Sequence, residues 1–211
     1  MTRISRDPYN AVICGVGGQG NILISQVIGN AVLRKGYCVT IVDDIGASQR
    51  AGTVTSKIRI SPSKSCGPLI PEGQAHLVLG LEPLETLRVL YRYGNPDVLT
   101  LTNIAPIFPA EVLNRRVQYP DMDRLKKSIG SLSKRAWFVD ATRIALDLGT
   151  VIVTNVVLLG ALIVLNEIPL TRNDIEGELR THLSAKKLDI NLEALRLGYE
   201  MPVVQNLNID P

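Results

Sequence analysis

Aromatic residues are scarce in this chain of 211 residues: six Tyr, two Phe and one Trp make up 4% of it. Surfaces that stack nucleic-acid bases interleave aromatics with basic residues. The basic cluster of Lys126, Lys127, Lys134 and Arg135 holds no aromatic between its members, so it reads as a solvated face, and nucleic acid is not an expected partner. Cysteine is equally sparse. Cys14, Cys38 and Cys66 lie far apart without a C-x-x-C spacing, which excludes an iron–sulfur cluster or a zinc site built from this chain, and their use suits a reducing cytoplasm. The two histidines, His76 and His182, are isolated and read as structural or surface residues. With no nucleophile and base in a common pattern, no catalytic residue and no metal ligand is assigned. The longest apolar stretch, residues 151–165, spans 15 positions interrupted by Thr154, Asn155 and Gly160. A membrane span needs about 20 apolar residues, so a buried helix is expected instead. The first residues, Met1 to Asp7, have no apolar run, and no targeting signal is expected.

What is present is ordinary globular material. Apolar residues form 45% of the chain and charged residues 20%, with a net charge of +3, values that exclude a disordered polymer and predict a sizeable core. The stretch that organises the chain is Gly15-Val-Gly-Gly-Gln-Gly20, placed between an apolar run at residues 11–14 and a helix-spaced set from Asn21 to Leu33. That arrangement is a strand, a tight turn and a helix. Gly15, Gly17 and Gly20 satisfy G-x-G-x-x-G, and Asp43 ends the next apolar run about 20 residues on, as in dinucleotide-binding folds. The same glycines also serve a helix that must simply pack close to its strand, and both readings stay open. Gly17 is expected to tolerate no β-branched side chain, because the turn between strand and helix leaves no room for one.

The rest of the chain alternates strands and helices. Strands are predicted at residues 37–43, 53–60, 75–81, 98–102 and 136–140. In residues 53–60, Val54, Ile58 and Ile60 alternate with Thr55, Lys57 and Arg59, which predicts one wet face, at a sheet edge or across a partner. Helices are predicted at residues 83–93, with proline in the first turn and Gly94 at the stop, and at 121–132, 141–148, 151–165, 171–183 and 191–199. The proline-rich segment 104–121 is long for a loop and is expected to contact something. Residues 202–211 show no periodicity and read as an extended tail docked on a partner. The expected architecture is α/β: an open, mostly parallel Rossmann-like sheet with helices on both faces and a C-terminal helical extension. The whole of 1–211 reads as one domain, with a core at 1–149, C-terminal helices at 150–200 and a tail at 201–211.

Five blocks then carry a resemblance. Gly15-Val-Gly-Gly-Gln-Gly20, Gly46-Ala-Ser-Gln-Arg-Ala-Gly52, Leu81-Glu-Pro-Leu-Glu-Thr-Leu87, Val139-Asp-Ala-Thr142 and Asn155-Val-Val-Leu-Leu-Gly-Ala-Leu162 occur in the order seen in the gamma domain of 2-oxoacid:acceptor oxidoreductases, over most of the chain. Tyr119-Pro120 and Asn191-Leu-Glu-Ala-Leu-Arg-Leu-Gly198 look most like the beta subunit of the indolepyruvate ferredoxin oxidoreductases within that superfamily. The resemblance implies a smaller subunit of a complex that oxidatively decarboxylates a 2-oxoacid on thiamine diphosphate and passes electrons to ferredoxin, releasing an acyl-coenzyme A. Thiamine diphosphate, magnesium and iron–sulfur clusters would sit on a larger, alpha-type partner subunit. This chain would bind no cofactor alone and would share coenzyme A, through Gly15, Gly17, Gly18, Gln19, Gly20, Ser48, Gln49, Arg50 and Asn155. The expected assembly is a cytoplasmic hetero-oligomer.

Two positions depart from the family pattern. Ala47 stands where methionine is usual, and Ala51 where glycine is usual. Arg50 either holds a carboxylate, phosphate or carbonyl oxygen through paired donors or pairs with Asp43 or Asp44 to shape the loop. Asn155, opening an apolar helix, either satisfies a neighbouring backbone group or touches substrate. A rival reading is a free-standing nicotinamide or flavin protein, resting on the glycines and Asp43. A gamma subunit of pyruvate or 2-oxoglutarate type and a pure interaction module are further alternatives.

Overall fold

The computed structural model describes residues 4–46, 52–108, 110–115 and 117–201. β1 (Tyr9–Val16), buried along all eight residues, is the centre of the fold. It feeds through the glycine loop into α1 (Asn21–Arg34), which returns to β2 (Cys38–Ile45) and β3 (Thr53–Ser61). Two strand–helix units follow: β4 (Leu77–Gly80) with α2 (Pro83–Tyr93), and β5 (Leu99–Asn103) with the short α3 (Ala110–Leu113) and α4 (Met122–Ser131). The last strand is β6 (Arg135–Val139), followed by α5 (Ala141–Asp147), a 3-10 turn (Val151–Val153), α6 (Thr154–Val164), α7 (Arg172–His182) and α8 (Ala185–Glu200).

Among the described residues the sheet has six strands in the order β2-β3-β1-β4-β5-β6. β1, β4, β5 and β6 run parallel, while β3 is antiparallel to both of its neighbours. The open, mostly parallel α/β sheet with helices on both faces is therefore as the sequence predicts. Because side chains alternate along a strand, Tyr9, Ala11 and Ile13 of β1 join α1 and α6 to α8 in the larger core. Val12 and Cys14 point the other way, into a smaller core with Val89 and Leu90 of α2 and Ile129 of α4.

Strand β3 is where the sequence reading fails. It lies inside the sheet, and both faces are covered: Thr55, Ser56 and Lys57 are buried beside Ile58 and Ile60. Lys57 Nζ donates to Asp44 and stands 5.4 Å from the centre of the Tyr93 ring. Arg59 Nη1 donates to the carbonyls of Gly67 at 2.6 Å and Leu69 at 2.9 Å, fixing the loop that joins β3 to β4. The polar alternation reports partners rather than water, since buried charges persist when paired.

The C-terminal helices complete the larger core. Val156 to Leu159 of α6 are all buried, each such side chain contributing about 1.5–3 kcal/mol. Helix α6 packs on α8 at two glycines. A Cβ on Gly160 would meet the Tyr199 nitrogen at 2.7 Å, and one on Gly198 would meet the Val157 carbonyl carbon at 2.8 Å, so these backbones approach directly. Helix α7 starts with a capping box of Thr171 and Asp174, and Asp174 also accepts from Lys35, just past the end of α1, at 2.5 Å. Helix α8 begins at Ala185, six residues before the predicted start, because Lys186, Lys187 and Asp189 mask the apolar period that Leu188 and Ile190 supply. Among the described residues, no helix is long and apolar enough to cross a membrane.

Candidate functional site

The carboxyl ends of β1, β4, β5 and β6 converge on the glycine loop, the edge where ligands gather in open α/β sheets. The loop is first held by its own chain. Gln19 folds back so that its Oε1 accepts from the Val16 amide at 2.8 Å and its Nε2 donates to the Leu81 carbonyl at 2.9 Å. This side chain lies where Gly15 has none: a Cβ there would meet Gln19 Oε1 at 2.5 Å. Gly20 sits at φ 81°, in the left-handed region that favours glycine, and its missing Cβ leaves the space that Asn155 Nδ2 fills. Asn155 is 3% exposed, and its Oδ1 accepts from the Val156 amide at 2.8 Å. The structure thus brings Gly15, Gln19, Gly20 and Asn155 into one cluster.

Gly17 has room for at least a Cβ. Its amide donates to the Gly52 carbonyl at 2.9 Å, and a Cβ would find that oxygen at an ordinary 3.8 Å. At Gly18 no described atom lies within 4 Å of a Cβ. Close packing therefore explains Gly15 and Gly20, while Gly17 and Gly18 bound open space. Helix α1 opens beside them without a side-chain cap, and the free amides of a first helical turn carry the positive end of the helix dipole. Ser48, Gln49 and Arg50 fall outside the described residues. Asp43 and Asp44, the acids proposed as partners for Arg50, have partners of their own: Asp43 accepts from Ser56 Oγ at 2.5 Å, and Asp44 from Lys57.

Sequence reasoning missed the polar residues that brace this edge. Asn103, at the end of β5 and 1% exposed, donates to the Leu81 carbonyl at 3.2 Å and to Thr142 Oγ1 at 2.9 Å. Its Oδ1 accepts from the amides of Ala141 and Thr142, so one side chain ties β4, β5 and the start of α5 together. Glu82, also buried, caps α2 through the Glu85 amide at 2.9 Å and accepts from the Tyr119 hydroxyl. Burial pushes the Glu82 carboxyl up from its usual range despite those bonds, and burial followed by Glu82 itself pushes the Tyr119 phenol up. Tyr119 is held at this edge by its bond to Glu82, and the Phe108 ring, from the same proline-rich segment, meets it edge-on at 5.2 Å. A polar residue closing an apolar strand was the available signal for Asn103, and a glutamate just ahead of a first-turn proline the signal for Glu82.

The dinucleotide reading fails on topology. In that fold the strand bearing the acid neighbours the glycine-loop strand. Here β3 stands between β1 and β2, so Asp43 is two strand spacings away, roughly 9.5 Å.

With that geometry in place, residues 10–201 match the family described as pyruvate ferredoxin/flavodoxin oxidoreductase. The chain belongs to that family. It is 37% identical over 191 residues to the indolepyruvate oxidoreductase subunit IorB of Thermococcus kodakarensis, covering 90% of this chain and 94% of that protein. Solved structures share the fold. The pyruvate oxidoreductase subunit PORC of Thermotoga maritima superposes with a TM-score of 0.69 at 22% identity, over 92% of this chain and 97% of that one. The 2-oxoglutarate:ferredoxin oxidoreductase of Magnetococcus marinus, solved with 2-oxoglutarate, coenzyme A and succinyl-CoA bound, gives 0.73 at 17% identity, over 98% of this chain but 33% of that one.

Proposed function

We propose that this chain is the smaller subunit of a thiamine-diphosphate- and ferredoxin-dependent oxidoreductase that converts arylpyruvates of the indolepyruvate type to acyl-coenzyme A in the cytoplasm. The observation that carries the reading is the likeness to indolepyruvate oxidoreductase subunits along nearly the whole chain, with 34% identity also to the Archaeoglobus fulgidus subunit over 92% of this chain. Thiamine diphosphate, magnesium and iron–sulfur clusters belong to the larger alpha-type subunit, which completes the hetero-oligomer and delivers electrons to ferredoxin. The three cysteines here are separate free thiols: Cys14 is buried, and Cys38 and Cys66 are half-buried.

Coenzyme A is the ligand this chain would share. The open backbone at Gly17 and Gly18 and the uncapped start of α1 fit an anionic phosphate group. Coenzyme A would supply the thiol that accepts the acyl group; Gly18 and the first amides of α1 would hold its phosphates, and Gly17, whose own amide is paired with Gly52, would only leave room for their approach. Ser48, Gln49 and Arg50 would add polar and cationic donors for it, and Gln19 and Asn155 keep the loop in shape.

The test is to produce the chain with its larger subunit and to measure ferredoxin or dye reduction with indolepyruvate, pyruvate and 2-oxoglutarate. Indolepyruvate should be preferred, and the isolated chain should be colourless and inactive. Arg50→Ala should raise the apparent KM for coenzyme A about ten- to hundredfold, the worth of a charge-assisted hydrogen bond. Preference for pyruvate would move the chain to another branch of the family. Micromolar NAD binding lost in Asp43→Ala would overturn the reading altogether.

A further inference from the structure

A second candidate site lies at the opposite edge of the sheet, where the amino ends of the parallel strands meet. A cleft of about 380 Å³ opens there, within the ~300–1,000 Å³ typical of small-molecule sites. Its floor is apolar and aromatic: Trp137 of β6, Leu99 of β5, Leu165 after α6, and Tyr9 at the start of β1. Tyr9 is 2% exposed, and its hydroxyl is buried with no hydrogen-bond partner. A buried donor left unpaired is costly, and an acceptor oxygen brought into the cleft would relieve it.

The rim selects the charge of that acceptor. Arg6 and Lys134 both reach Asp97, at 3.2 and 3.5 Å, whereas Arg135 and Glu167 make no ion pair among the described residues. Burial, and then Arg6, hold the His76 imidazole below its usual range, so it adds no charge at neutral pH. Among the described residues three cations, Arg6, Lys134 and Arg135, face two carboxylates, Asp97 and Glu167, which leaves one positive charge in excess. That excess suits a monoanion, and Glu167 and Asp97 oppose a dianion.

We propose that this cleft binds a small organic monocarboxylate with an apolar or aromatic body, its carboxylate taken by Arg135, Lys134 and the Tyr9 hydroxyl and its body resting on Trp137 and Leu165. Trp137 is the single tryptophan of the chain, so its fluorescence reports occupancy directly. The full chain is titrated with phenylacetate, with inorganic phosphate as a charge lacking an apolar body and benzyl alcohol as a body lacking the charge. Phenylacetate should change the emission saturably, and neither control should. Arg135→Ala should weaken binding at least about tenfold and Tyr9→Phe about fivefold, the scale of losing a charged and a neutral hydrogen bond. Thermal melts of both variants check that they remain folded. No saturable response in the native chain, equal affinity in a folded Arg135→Ala variant, or phosphate binding as tightly as phenylacetate would each overturn the proposal.

Discussion

Glycine does opposite work in the loop after β1 and in the contact between α6 and α8. Around the loop, the space left by Gly15 and Gly20 is filled by side chains of the protein itself, Gln19 and Asn155. Between the helices, the space left by Gly160 and Gly198 is filled by the other helix's backbone. Side chains can turn away from an intruding methyl group, whereas a backbone moves only with its helix. The two regions should therefore differ in how they tolerate added atoms, and in the same loop a Cβ at Gly17 or Gly18 meets no crowding among the described residues.

The largest expected effect is at the helix contact. Gly198→Leu should force α8 off Val157 and cost about 3 kcal/mol or more, lowering the melting temperature by roughly 6–12 °C in calorimetry. At the loop, Gly20→Ala meets both a left-handed φ, worth about 1–2 kcal/mol, and the amide of Asn155. A double-mutant cycle with Asn155→Ala, read by denaturant unfolding, should return the part due to Asn155 and leave the part due to φ. Full additivity would break the claim that the side chain is what gives way.

The regions also part in their response to pH. Glu82 at the carboxyl edge has a raised folded pKa, so the stability linked to its proton is present in acid and lost as pH rises through that pKa. Asp174 in the helical layer is the reverse: burial raises its carboxyl, but the bonds from Lys35 and Thr171 outweigh that and lower it. Its contribution is full above the ordinary aspartate range and disappears as pH falls through the depressed value. Asp174→Asn should cost about 1 kcal/mol at neutral pH, the worth of a cap, with the gap to the native chain closing in acid. Urea melts across the acid range would show it, and a pH-independent gap would contradict it. The smallest stability effect belongs to Gly17→Ala, within about 0.5 kcal/mol as at an uncrowded position. The same variant in the assembled complex should raise the KM for coenzyme A, separating a ligand-facing glycine from a packing one.

Much of this fold could be read from residue patterns. Strand–loop–helix around Gly15 to Gly20, the proline start of α2 and the apolar α6 all follow from local rules. Three features could not. The interior place of β3 depends on Lys57 and Arg59 finding Asp44 and two loop carbonyls, pairings that a polar alternation does not announce. The bracing by Asn103 joins three elements far apart in sequence, and the meeting of Asn155 with Gly20 spans 135 positions. The glycine spacing was legible, yet which glycines pack and which stay open depended on what else arrives there.

The strand inserted between β1 and β2 also sets how the sheet opens. β1 is paired along its length with β3 on one side and from Ala11 to Cys14 with β4 on the other, while among the described residues β2 has β3 as its single neighbour. Releasing a β1 amide requires breaking a ladder closed by contacts distant along the chain; releasing the outer amides of β2 requires none. In deuterium exchange, protection should therefore fall from Val12 and Ile13 through Ile58 to the outward amides of β2, and the fold should fray from the strand that bears Asp43 rather than from the one that leads into the glycine loop.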